Sequence, residues 1–132
     1  MVRLAALAVI AAAGIWSSVQ QPLPVPSDRP CREHPQLNAP CFSVHGKMDY
    51  WNGAPSVRIW RIGTHRILGV SEGRFALAGF CNLPQWLRDT LDARKAIVAD
   101  FQVCPFTRDE PGVMRLVCVD TAYHVRTRPS QF

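Results

Sequence analysis

Hydrophobic and polar positions alternate along the chain from residue 41 onward in a way that predicts five strands and one helix. Between residues 41 and 51, Phe42, Val44, Met48 and Tyr50 share one parity, with Gly46 among them. Period-two alternation marks a strand, and a glycine inside it marks a bulge or a sharp bend. Asn52-Gly53 then signals a hairpin, and residues 57–62 form the next strand. Gly63-Thr64 suits a tight primed turn into a third strand over residues 65–70. Two-residue turns at both sites place Met48 opposite Val57, Ile59 opposite Leu68 and Trp60 opposite Ile67. One core face then collects Val44, Met48, Val57, Ile59, Leu68 and Val70. Residues 82–94 follow the 3.6-residue period through Leu83, Trp86, Leu87 and Leu91, with Asn82 positioned as the cap and Gln85 three residues on. Residues 96–104 alternate again, and residues 113–125 make the last strand. A hairpin centred on Pro111 sets Cys104 against Cys118, Val103 against Val119, Phe101 against Thr121, Ala99 against Tyr123 and Ile97 against Val125.

The order strand, strand, strand, helix, strand, strand is that of the OB-fold. The predicted class is therefore all-β with one short helix, a five-stranded OB-like Greek-key barrel. An open antiparallel sheet with a helix packed on it is the alternative. With 132 residues, there is room for one domain, which disfavours a full Rossmann enzyme, a TIM barrel or an α/β hydrolase.

The N-terminus differs from the rest. Arg3 precedes an unbroken apolar or small-residue run over residues 4–16, the layout of an export signal and too short to span a bilayer comfortably. Residues 1–20 are thus expected to be a signal peptide or signal anchor. Residues 21–40 carry Pro22, Pro24, Pro26, Pro30, Pro35 and Pro40 and read as a semi-rigid linker. The β domain is expected over residues 41–128. Export places the protein in the periplasm or outside the cell, with membrane attachment only if the first segment stays uncleaved.

The stretches CFSVHGKMDYWNGAP, RIWRIGTHRILGV, DFQVCPF and GVMRLVCVDTA resemble a group of small, exported, uncharacterised bacterial proteins. The resemblance covers most of residues 41–125. It implies a bacterial origin and brings no activity and no functional residues with it.

Five cysteines in a small exported chain point to disulfides. Direct opposition in the last hairpin predicts Cys104–Cys118. A second pair is expected between Cys31 and Cys41, with Cys41–Cys81 as the alternative. The first choice leaves Cys81 free or intermolecular.

Candidate chemistry is sparse. Gly69-Val70-Ser71-Glu72-Gly73 fits G-x-S-x-G, yet no helix is expected after Ser71, and turn chemistry is the better reading. Cys31, His34, Cys41 and His45 have zinc-like spacings but fall at the edge of the Pro-rich stretch, so no metal is assigned. No phosphate loop or dinucleotide fingerprint appears, and no cofactor is expected. Asp100 and Asp120 read as strand-surface charges.

Fifteen basic against ten acidic residues give a formal charge of +5, which favours an anionic partner. The expected registers gather Lys47, Arg58, Trp60, His65 and Arg66 on and beside the outer face of the second and third strands, where OB-folds bind their ligands. The expectation is a non-catalytic envelope binding module for an anionic oligosaccharide, lipid headgroup or acidic peptide. Export disfavours nucleic acid. An assembly subunit contacting another envelope protein is the alternative, and a hydrolase using Ser71 comes last.

Overall fold

The computed structural model describes Gly14, residues 29–92 and residues 94–130. Apart from Gly14, the expected signal or anchor segment lies outside the described residues, as do residues 21–28 of the expected linker. No helix among the described residues is long and apolar enough to cross a membrane.

The protein is mostly β with one short helix. Strands β1 (Phe42–Tyr50), β2 (Val57–Arg61), β3 (Ile67–Val70), β4 (Lys95–Pro105) and β5 (Arg115–Pro129) accompany a single helix, α1 (Gln85–Thr90). The strands pair in the order β1-β2-β3-β5-β4, and β4 returns to pair with β1, so the ladder closes on itself. The β3–β5 pairing is parallel and the others are antiparallel, making the sheet mixed.

The expected core face is the observed one. Val44, Met48, Val57, Ile59, Leu68 and Val70 are buried in one cluster with Ile97, Ala99, Phe101 and Val103 from β4. Leu83, Leu87 and Leu91, from α1 and its flanks, join the same cluster. Trp86 does not: it is exposed. The helix is also shorter than the periodicity predicts. Pro84, which has no N–H to donate, stands at its N-cap position with no side-chain cap. The Asn82 amide instead donates to the carbonyls of Ser71 and Phe75, fixing the preceding loop.

The β2–β3 register matches expectation, with Ile59 opposite Leu68 and Trp60 opposite Ile67. The β1–β2 register does not. Trp51 N–H donates to Ser56 O at 2.7 Å, so the connecting loop has four residues rather than the two of Asn52-Gly53. Met48 therefore pairs with Ile59 instead of Val57. Because the slip is an even number of residues, every side chain keeps its face and the core survives it.

Hairpin β4–β5 starts as expected, with Cys104 opposite Cys118 and Val103 opposite Val119. Further along, β5 gains a residue twice. Asp120 stands between the partners of Val103 and Gln102, and His124 with Val125 faces Ala99 alone. His124 adopts φ +54°, the left-handed region that the first residue of a G1-type bulge occupies. Phe101 consequently faces Ala122 rather than Thr121. Tyr123 and Val125, expected opposite Ala99 and Ile97, are exposed.

Residues 29–41 lie against the outside of this hairpin as a strap. It contains a 3-10 turn, Cys31–Glu33, and carries two disulfides, Cys31–Cys118 and Cys41–Cys104. Neither expected pair forms: Cys104 and Cys118 are neighbours without being bonded to each other, and Cys31 and Cys41 are not joined. Strand alternation explains the outcome. Val103 and Val119 point inward, so Cys104 and Cys118 point outward, where the strap covers them. Cys31, Cys104, Phe106 and Cys118 form a second buried cluster, with Leu37 and Phe75 packed on it.

Polar contacts complete the attachment. Asn38 N–H donates to Pro105 O at 2.8 Å. The bulged Asp120 accepts from the Arg32 backbone N–H and from its guanidinium. Buried His34 accepts from Gln36 N–H at Nδ1 and donates from Nε2 to Phe75 O. Cys81 is the free thiol, half-buried and donating to Leu83 O.

Candidate functional site

The five residues expected to share a ligand face are spread by the structure. Lys47 stands opposite Trp60 rather than Arg58, and it is half-buried. Trp60 is 39% exposed and its Nε1–H donates to Thr64 O at 2.8 Å, which fixes the ring. Arg58 turns back into the β1–β2 loop, donating from Nε to Pro55 O at 2.9 Å and lying over the Trp51 ring. His65 is exposed, with no side-chain partner among the described residues. Arg66 pairs with Asp109 from the β4–β5 loop.

The arginines that do share one concavity are Arg61, Arg66 and Arg115. With Phe42, Leu68 and Asp109 they line a concavity of about 240 Å³. The topology builds it. Arg61 and Arg66 flank the β2–β3 turn, joined by an Arg61 N–H to Arg66 O bond of 3.0 Å. The parallel pairing of β3 with β5 sets Arg115 opposite Leu68. Arg115 is held by Nε–H donation to Thr107 O at 3.0 Å and by its position over the Phe42 ring. Burial, and then the charge of Arg66, lowers the Arg115 pKa from the usual guanidinium value. Arg61 is exposed and has no side-chain partner among the described residues.

Three arginines and one carboxylate thus line this concavity, with Asp109 paired to Arg66. Each guanidinium carries N–H donors in a fixed planar fork that fits a carboxylate, phosphate or sulfate group. The Arg61–Arg66 opposition is readable from the β2–β3 turn. Arg115 joins through a parallel pairing between distant segments, which no local pattern marks.

Two further clusters stand apart from this pocket. On the outer face, the Asp100 carboxylate bridges two imidazoles, His45 Nδ1 and His124 Nδ1, each at 2.8 Å. These hydrogen bonds, His45 first and then His124, lower the Asp100 pKa below the usual carboxylate value. A cleft of about 690 Å³ lies beside α1, lined by Ser56, Ser71, Glu72, Asn82 and Arg88 among others. Ser71 is 3% exposed. Its hydroxyl has no partner among the described residues, and no histidine lines the cleft. A strand precedes Ser71, while turns and bends follow it.

The zinc-like set is also dispersed. Cys31 and Cys41 are oxidised to different partners, His34 is satisfied by Phe75 and Gln36, and His45 is bound to Asp100.

Comparison with protein-family models, with curated proteins and with solved structures yields no match.

Proposed function

We propose that the protein is a non-catalytic binding module for an anionic ligand, working in the oxidising envelope of a bacterium. The observation that carries this reading is the convergence of Arg61, Arg66 and Arg115 on one small concavity with a single opposing carboxylate. Burial and the charge of Arg66 both act against the charged form of Arg115, and an anion bound in the concavity would offset that penalty. Two disulfides among five cysteines support an oxidising location.

The fold is read as an OB-like Greek-key barrel, supported by the strand order and by the return of β4 to β1. OB-folds bind at the second and third strands and at the β1–β2 and β4–β5 loops. Arg61 ends β2, Arg66 precedes β3 and Asp109 lies in the β4–β5 loop, so the arginine pocket falls on that surface. Trp60 flanks the same turn through its bond to Thr64 and offers a stacking face. Relative to the sequence expectation, Arg66 stays in the site, Arg61 and Arg115 enter it, and Arg58 is engaged by its own loop. The shared ligand chemistry is a carboxylate or phosphate group, carried by an anionic oligosaccharide, a lipid headgroup or an acidic peptide.

The test is a titration of the oxidised protein with short uronic-acid oligosaccharides, phosphorylated headgroups and acidic peptides, followed by backbone amide NMR at two salt concentrations. Saturable shifts at Arg61, Arg66 and Arg115 that weaken with salt are expected, and the tightest ligand names the class. Arg61→Gln removes charge-assisted hydrogen bonds of about 1.5–3 kcal/mol, a weakening of about tenfold or more. Shifts scattered over the whole surface, or binding indifferent to Arg61→Gln, refute the assignment.

A further inference from the structure

We infer that the four paired cysteines form a thiol–disulfide exchange site whose substrate is an external dithiol, and that a single dithiol releases both covalent attachments of the strap. The basis is a convergence of sulfurs. The Sγ atoms of Cys31, Cys104 and Cys118 all lie within 4.8 Å of one another. Only the Cys31–Cys118 bond is formed among these three, since Cys104 is bonded to Cys41. Cys104 and Cys118 also stand directly opposite across the β4–β5 ladder, where the separation of paired residues accommodates a disulfide. A second arrangement of the same sulfurs is therefore already in register.

Access is asymmetric. Cys41 is in an exposed residue at the end of the strap, whereas Cys31, Cys104 and Cys118 are buried. An incoming thiolate meets the Cys41 sulfur first. Its attack forms a mixed disulfide at Cys41 and breaks the Cys41–Cys104 bond, leaving Cys104 as the thiolate. That thiolate attacks Cys118 Sγ, forming Cys104–Cys118 and breaking Cys31–Cys118. Cys31 departs as a thiolate and takes up a proton. The second thiol of the reagent then attacks its own sulfur in the mixed disulfide, leaving as the oxidised cyclic disulfide, and Cys41 takes up the second proton. Two electrons pass from the dithiol to the protein. One of two protein disulfides is lost, and the survivor is Cys104–Cys118, wholly within the hairpin. Both strap cysteines end as thiols.

The test uses the oxidised full chain treated with one equivalent of dithiothreitol under native conditions, quenched in acid, alkylated with a maleimide and mapped by mass spectrometry. Cys81 is labelled before and after, and serves as the internal standard. The expected result is a gain of label at Cys31 and Cys41 together with a peptide pair linked through Cys104–Cys118. Label at Cys41 and Cys104 with Cys31–Cys118 intact overturns the proposal, as does a native chain that consumes no reagent. A second arm uses Cys31→Ser with Cys41→Ser. Oxidation of this variant closes Cys104–Cys118 if the inference holds, and leaves both thiols free if it fails.

Discussion

Gly46 sits in the middle of β1, between Arg61 of β2 and Ala99 of β4, with its face toward the core. A Cβ at this position lies 2.5 Å from Ile59 Cγ2 and 3.0 Å from the Trp60 carbonyl oxygen. Apolar atoms are at ease near about 3.5–4.0 Å, so the Ile59 methyl has to retreat by about 1 Å inside a packed cluster. The Trp60 oxygen is backbone and has less room to give. Overpacking of this kind costs about 1–3 kcal/mol. Against it stands the advantage of alanine over glycine in a strand, about 0.5–1 kcal/mol. Gly46→Ala is therefore expected to destabilise the protein by about 1–2 kcal/mol in equilibrium urea unfolding, with an unchanged slope. The atom that clashes makes the expectation sharper. Ile59→Leu moves the branch one carbon outward and removes Cγ2, whereas Ile59→Val keeps it. Leucine at 59 should recover part of the Gly46→Ala loss in a double-mutant cycle, and valine should recover none. A Gly46→Ala protein as stable as the parent refutes the reasoning, and so does equal rescue by both substitutions.

Other outcomes follow from the same contacts. The two disulfides close a shared ring of eleven strap residues and fifteen hairpin residues, about 26 in all. By loop-closure entropy, removing either pair alone costs about 3.5 kcal/mol, while removing both costs about 8, more than twice the single loss; denaturant midpoints of the paired Cys→Ala variants check this excess. Asp109 occupies Arg66 in the free protein, so Asp109→Asn should tighten binding of an anionic ligand, measured by the same NMR titration. Asp100 has a pKa lowered by His45 and His124. Its stabilising effect is present above its unfolded value, about 3.9, and is lost as pH falls through the lower folded value. Asp100→Asn should therefore lower the urea midpoint above about pH 4, with the gap closing in stronger acid; a gap that persists there contradicts the assignment.

Local alternation suffices to mark the strands and to choose the inward faces of β1 to β4, because core burial demands one parity along each strand, but not the face of β5 beyond Val119. Ile59 opposite Leu68 follows from the Gly63-Thr64 turn, and Cys104 opposite Cys118 from centring the longer β4–β5 connection on Pro111. The pattern misleads where the chain departs from two-residue periodicity. Asn52-Gly53 signals a tight hairpin, yet Trp51 and Ser56 close a longer loop around it. Asp120 and His124 are polar residues in a strand with an exposed face, so nothing in residue type distinguishes an inserted bulge residue from an ordinary outward one. The cysteine pairing failed for a different reason. The register that sets Cys104 against Cys118 holds, but the prolines of residues 21–40 read as a semi-rigid linker and hide the strap whose Cys31 and Cys41 bond Cys118 and Cys104. Of the candidate site, Arg66 and its opposition to Arg61 were readable from the β2–β3 turn. Arg115 and Asp109 were not, since both arrive through the crossover that brings β5 beside β3.

The Cys31–Cys118 bond also decides how the molecule bears tension. Force applied along the chain before residue 31 and after residue 118 passes straight through the sulfur bridge. The intervening stretch, with a sequence separation of 87, is taken off the load path, about 300 Å of contour that cannot be drawn out. Arg61, Arg66 and Arg115 all lie inside this shielded stretch, whereas the end of β5 beyond Cys118 carries the strain. Traction would peel the last strand and leave the arginine pocket's own chain slack.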